Sequence, residues 1–255
     1  GEYGPLPTLV HAARMLFQEE ALPFVKRAHS AGVHDAVENI LEDARHAREK
    51  NLRRLVLVTG VPGAGKTLVG LQVAHSAAME EGYRFGKRKV RGAPATFLSG
   101  NGPLVQVLQK ALQSTAFVQD MHRFIREYGL EKPERVPYER LIVFDEAQRA
   151  WDEKKVTDFY TKKLPYIDSS LLASEPQILT RVADRLEDGA VVLALVGQGQ
   201  EIHTGEESGM QQWADAVEHS SQTWSVLGPP QLQSLFESRG IDYSADSTLN
   251  LDTGL

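Results

Sequence analysis

Apolar and polar positions along the chain fall into two rhythms. In the first, apolar residues stand side by side: residues 55–59, 95–98, 141–144 and 191–196, with a fainter fifth run at 223–227. Short unbroken apolar runs bounded by turn residues predict strands covered on both faces, the pattern of a parallel sheet. In the second rhythm apolar residues recur every three or four positions. Val37, Ile40, Leu41 and Ala44 make one face of a helix over 34–51, with Glu38, Glu42, Asp43, Arg45 and Arg48 opposite. The same spacing predicts helices over 68–81, 104–117, 176–186 and 210–219, and one before Pro23 that uses Leu6, Leu9, Val10, Ala13, Leu16 and Phe17. Residues 118–130 read as a polar helix and 131–140 as loop. Residues 151–175 read as an insertion or lid, and a short helix is expected over 231–238. Strands alternating with helices predict an α/β fold built on a mostly parallel, five-stranded sheet.

The stretch between the first strand and its helix carries the strongest chemical signal. Gly60, Val61, Pro62, Gly63, Ala64, Gly65, Lys66 and Thr67 fit the pattern G-x-x-x-x-G-K-[ST], and Leu68 opens the helix. The glycines let successive N–H groups turn into one concavity, and the helix adds its N-terminal N–H groups and dipole. Lys66 brings a full positive charge to the terminal phosphates, and the Thr67 hydroxyl is placed to ligate Mg²⁺. Chance gives the pattern in about one chain in a hundred of this length, and its strand–loop–helix setting lowers that further. The expected ligand is a nucleoside triphosphate, read as ATP.

The third strand ends in Asp145-Glu146-Ala147-Gln148-Arg149. Carboxylates at the carboxyl end of a buried parallel strand lie on the edge where such sheets bind ligands. Asp145 is expected to hold Mg²⁺, and Glu146 to orient and deprotonate the attacking water. The fourth strand ends in 197–202, where Gln198 or Gln200 can hydrogen-bond the terminal phosphate and report its loss. Ser99, Gly100 and Asn101 close the second strand with small side chains and free backbone N–H groups. A sugar-phosphate backbone can approach such a loop, and a helix cap explains it equally well.

Composition narrows the class without changing that picture. Apolar content of 42%, charged content of 24% and the absence of any run of about 18 apolar residues describe a soluble globular protein without a membrane span. No cysteine is present, so disulfides and cysteine-held zinc are excluded. No export signal opens the chain, and a cytoplasmic location is expected. A net charge of −6 argues against a surface that coats nucleic acid indiscriminately, but leaves room for a local basic groove. Lys87, Arg88, Lys89 and Arg91 read as a solvated loop, and His203, Glu206 and Glu207 complete no metal site. Trp151, Trp213 and Trp224 are expected in packing roles.

Taken together, residues 60–67, 97–103, 145–148 and 196–202 resemble four motifs of the first motor lobe of superfamily-one helicases. More narrowly, Gly197-Gln198-Gly199-Gln200-Glu201-Ile202, then Thr204-Gly205-Glu206 and Trp213, is similar to the Schlafen-group-3-like DNA/RNA helicase domain family. The resemblance covers roughly residues 34–228. It implies a RecA-like P-loop NTPase fold, ATP and Mg²⁺ as cofactors, and single-stranded DNA or RNA as partner. It also implies a second RecA-like lobe that supplies arginines to the transferred phosphate. In such motors the helix before the first strand holds the adenine; no base-reading residue stands out here, and Gln18 reads as solvated. The fourth motif has Gln198 where the superfamily carries Asp and is one residue short, so Gln200, which precedes Glu201-Ile202, is the preferred sensor. Arg149 is expected to organise the site or couple it to the strand path. The division expected is a helical segment over 1–50, the ATPase lobe over 51–228, and a tail over 229–255 leading to a lobe outside the chain. Two alternatives stand beside the helicase reading: an AAA-type protein-remodelling ATPase, with a helical lid and hexamers, and a non-catalytic nucleotide sensor in a defence or signalling protein.

Overall fold

In the computed structural model the described residues are 32–82, 93–112, 115–197 and 206–251. Helix α1 (Val33–Glu49) leads into strand β1 (Arg53–Gly60), helix α2 (Lys66–Glu80), β2 (Ala95–Ser99), α3 (Gly102–Leu112) and β3 (Val118–Asp120). Then come α4 (Met121–Phe124), a π-helical stretch (Ile125–Glu131), β4 (Leu141–Phe144), α5 (Glu153–Lys163) and α6 (Glu175–Asp184). The chain continues through β5 (Ala190–Gly197), α7 (Glu206–Glu218), β6 (Trp224–Gly228), α8 (Gln233–Glu237), β7 (Asp242–Ala245) and β8 (Asn250–Leu251).

All pairings are parallel, in the order β3-β2-β4-β5-β1-β6-β7, and β8 adds to the far end of β1 beyond the reach of β6. Side chains alternate across this sheet, so each apolar run feeds two cores. Leu55, Leu57, Ile142, Phe144, Val192 and Ala194 face one side, under α4 to α7. Val56, Val58, Val143, Leu193 and Leu195 face the other, under α1 to α3. Helices on both faces of a parallel sheet are the RecA-like arrangement expected from the strand and helix rhythm.

Helix α2 lies close against the sheet, and Gly70 permits it. A Cβ at Gly70 would meet Leu195 at 2.7 Å, Val143 at 2.8 Å and Phe97 at 3.2 Å. The first turn of α2 carries Lys66 and Thr67, so this close seat fixes where those side chains emerge.

The structure adds to the expected plan in four places. Among the described residues the sheet has eight strands and not five. The extra three are two to four residues long, too short for a period to register. Residues 118–130, read as one polar helix, begin as β3. Val118 pairs with Phe97, and the Asp120 side chain accepts the Arg123 N–H to start α4. Residues 151–175, read as a lid, hold α5, capped by Asp152 and seated on the core through Val156 and Tyr160. The stretch past Gly228 builds β7 beside β6, and Asp246 and Thr248 accept hydrogen bonds from Asn39 of α1 at 3.0 Å. The helix expected before Pro23 and the basic loop around Lys87 lie outside the described residues.

Candidate nucleotide and nucleic-acid site

The site grows from the carboxyl edge of the sheet, where β1, β5, β4 and β2 stand side by side. β1 ends in Gly60, and the chain turns through Gly63 (φ 79°) and Gly65 (φ 91°), left-handed conformations that side chains rarely adopt. Gly65 passes directly into α2 without a side-chain cap, so the helix's first N–H groups stay available to an anion. Lys66 folds back over this loop and donates to the carbonyls of Gly60 (2.8 Å) and Val61 (3.0 Å). Burial pulls its ammonium below the ordinary lysine value, and the Glu146 and Asp145 carboxylates offset this in part. Phosphate oxygens can take over the bonds those two carbonyls now accept.

β4 delivers Asp145 beneath the loop. Its carboxylate is buried and accepts from the hydroxyls of Thr67 and Ser99, each at 3.4 Å. Both bonds are long beside the roughly 2.7 Å of a close hydroxyl–carboxylate pair. Burial, reinforced by the neighbouring Glu146 charge, raises Asp145 to about 7. A hidden, under-coordinated carboxylate facing a threonine hydroxyl fits a hard divalent cation, which commonly takes one or two protein oxygens and completes its shell from water and phosphate. Among the described residues no cluster of three or more acids and histidines offers a metal a second home.

Glu146 takes a left-handed conformation (φ 54°, ψ 45°) that is rare outside glycine. The turn is held from two sides. Gln148 donates to the Glu146 carboxylate at 2.7 Å and accepts the Gly197 N–H at 2.7 Å. Trp213, fully buried on α7, donates its indole N–H to the Ala147 carbonyl at 3.1 Å. The carboxylate beside Asp145 is thereby tied to the end of β5, the strand between β4 and β1. A Cβ on Gly197 would meet the Gln148 amide nitrogen at 2.7 Å, so a side chain there would push the Gln148 amide out of its bridge. The Gln148 bridge went unread in the sequence, although its place in the Asp-Glu-x-Gln motif was the available signal.

The remaining expected residues are placed unevenly. Arg149 stands mostly in solvent, 3.5 Å from Glu146. Ser99 is buried, with its hydroxyl on Asp145, whereas Gly100 and Asn101 are exposed. Asn101 accepts the Leu104 N–H and so caps α3, which makes the helix-cap reading of this loop correct for its side chain. Gln198 and Gln200 lie outside the described residues. Trp213 and Trp224 are buried as expected, and Trp151 is only partly covered.

The family model for the Schlafen group 3 DNA/RNA helicase domain matches residues 53–245. The chain belongs to that family. No curated protein matches it. Membership in the Schlafen group 3 helicase family gives the loop, the carboxylate pair and the Gln148 bridge a common setting: a nucleotide-dependent domain acting on DNA or RNA, with nucleotide and metal use in the general sense. Among the described residues of this helicase domain no helix is long and apolar enough to cross a membrane.

Proposed function

We propose that this chain is the ATPase lobe of a DNA or RNA helicase or translocase, binding ATP with Mg²⁺ and hydrolysing it under control of a single-stranded track. One observation carries the reading: Thr67 and Asp145, 78 residues apart, meet at 3.4 Å beneath the phosphate loop with Glu146 beside them. In this reading the loop amides from Gly60 to Leu68 cradle the phosphates. Lys66 leaves the Gly60 and Val61 carbonyls for the terminal phosphate oxygens. Thr67 and Asp145 are the residues that would hold Mg²⁺, whose charge would offset that of the phosphates. Glu146 orients a water for in-line attack and accepts its proton, and Gln148 sets the angle of that carboxylate from β5. Gln200, or Gln198, senses the terminal phosphate. Arg149 leans on Glu146, so charge developing on the transferred phosphate is assigned to arginines from a second RecA-like lobe.

The test is steady-state ATP hydrolysis with and without single-stranded DNA and RNA. Turnover raised by either polymer, lost in Glu146→Gln with binding retained, supports the proposal. ATP binding without turnover in the intact protein, unchanged by any polymer, would replace it with the nucleotide-sensor reading.

A further inference from the structure

We infer that Trp151, Phe159 and the lysines of α5 form a stacking platform for a single-stranded polynucleotide, an inference that rests on the nucleic-acid reading above and names its contact surface. Trp151 follows the catalytic turn by two residues after Arg149, and its ring lies 5.1 Å from that of Phe159. Lys155 sits 4.5 Å over the Trp151 ring and Lys163 sits 4.8 Å over Phe159. These four residues, with Asp158 and Lys162, line an open groove. Phe159 is 37% exposed, unusual for a phenylalanine on a helix otherwise dominated by charge. A base stacking on Trp151 or Phe159 would take the ring face its lysine now covers, and the displaced ammonium groups would meet the phosphates between bases. A chain with a net charge of −6 gathers Lys154, Lys155, Lys162 and Lys163 on this helix against Glu153 and Asp158. That local excess of positive charge complements a phosphate backbone.

The platform is built and not merely exposed. Glu175, 2% exposed at the start of α6, accepts the Trp151 backbone N–H at 2.8 Å, and its own N–H donates to the Trp151 carbonyl at 2.9 Å. Its second oxygen faces His122 Nδ1 at 2.8 Å, and the His122 ring lies 4.2 Å from Trp151. The Tyr160 hydroxyl donates to the His122 carbonyl at 3.2 Å. His122 in turn borders the exposed Gly100, whose Cβ would lie 3.8 Å from Nε2. The surface therefore runs unbroken from the loop after β2, past His122 and Trp151, along α5. A strand lying there passes the turn that carries Glu146. Neither the rings nor the lysines read a sugar hydroxyl, so DNA and RNA should bind comparably.

The test is fluorescence polarisation of labelled oligodeoxyadenylate and oligoriboadenylate with the full chain. Trp151→Ala keeps the backbone clamp to Glu175 and should weaken both about tenfold, the loss of one stacked base, while Trp151→Phe restores most of it. Lys162→Glu with Lys163→Glu, both on the exposed face, should flatten the logarithmic salt dependence by about 1.4, two phosphate contacts at roughly 0.7 each. Thermal melts confirm folding of each variant. Wild-type binding that all three variants retain would overturn the platform and leave the helicase reading intact. Absence of wild-type binding to either oligomer would overturn the nucleic-acid reading itself, and the platform with it. Displacement of the oligomer by polyglutamate at equal charge would show a plain cationic surface and also overturn the stacking assignment.

Discussion

Replacing Gly70 with alanine sets two effects of opposite sign against each other. Helix propensity favours alanine by about 1 kcal/mol in a helix interior. Packing opposes it, because the new methyl would stand 2.7 Å from Leu195, 2.8 Å from Val143 and 3.2 Å from Phe97. Those three residues come from β5, β4 and β2 and are at most 1% exposed, so none has solvent to retreat into. Ordinary contact begins near 3.4 Å, and reaching it means lifting α2 off the sheet at overpacking costs of about 1–3 kcal/mol. Packing therefore wins by about 1 kcal/mol for alanine and by about 3 kcal/mol for Gly70→Val, whose second branch has no space at all. At roughly 2–4 °C per kcal/mol for a domain of this size, the midpoints should fall by about 3 °C and about 9 °C. Lys66 and Thr67 ride on the same helix one turn earlier, so nucleotide affinity should fall in the same order. Circular-dichroism melts and titration with a fluorescent ATP analogue measure both. A Gly70→Ala protein more stable than the parent would refute the seat of α2 described above.

Other consequences are open to measurement. Lys66→Ala should abolish measurable ATP affinity, whereas Glu146→Gln should bind ATP and stop turnover; tight binding by the lysine variant would sink the site assignment. Gln148→Ala should lower kcat by up to about 100-fold, the scale for a catalytic group displaced by an ångström, with KM nearly unchanged; equal falls in affinity would mean that Gln148 serves nucleotide binding instead. Asp145 sits at about 7 in the folded protein against 3.8 for the free side chain, so between those values the folded state holds a proton that the unfolded chain releases. Stability of the nucleotide-free protein should thus decline as pH rises from about 4 to 7 and then level off, and Asp145→Asn should remove that decline. Melts of both proteins at intervals across this range would show parallel curves if the reasoning is wrong.

Much of this site was legible because its signals are local. An apolar run of four to six residues, a glycine turn and a pair of acids are each read beside the strand they belong to. What escaped depends on contacts between distant segments. Ser99 looks like any small residue in a loop, yet the pairing of β2 with β4 turns its hydroxyl onto Asp145, 46 residues away. Trp151 and Trp213 are indistinguishable by type. One is buried because α7 lays it on Phe144, and the other is only partly covered, bordered by His122, Phe159 and the Lys155 ammonium. Strands β3, β7 and β8 gain their form from a neighbour's free edge, which no periodicity announces. Gln148 had a motif to flag it, but its bond to Gly197 exists only because β5 lies beside β4.

The short β8 deserves a mechanical reading. It holds β1 only at Thr59 and Gly60, with Asn250 accepting the Thr59 hydroxyl at 2.7 Å and the Leu251 carbonyl accepting the Val61 N–H at 3.2 Å. That amide belongs to the phosphate loop. Two paired residues are a short join in a sheet whose central strands pair over eight. Leu249 and Leu251 are buried in the core under α1 to α3, so a shift of β8 reaches the loop both through that core and through the Val61–Leu251 hydrogen bond. A buried strand end tied to the lip of the nucleotide cradle gives movement in β8 a direct route to the hold on phosphate.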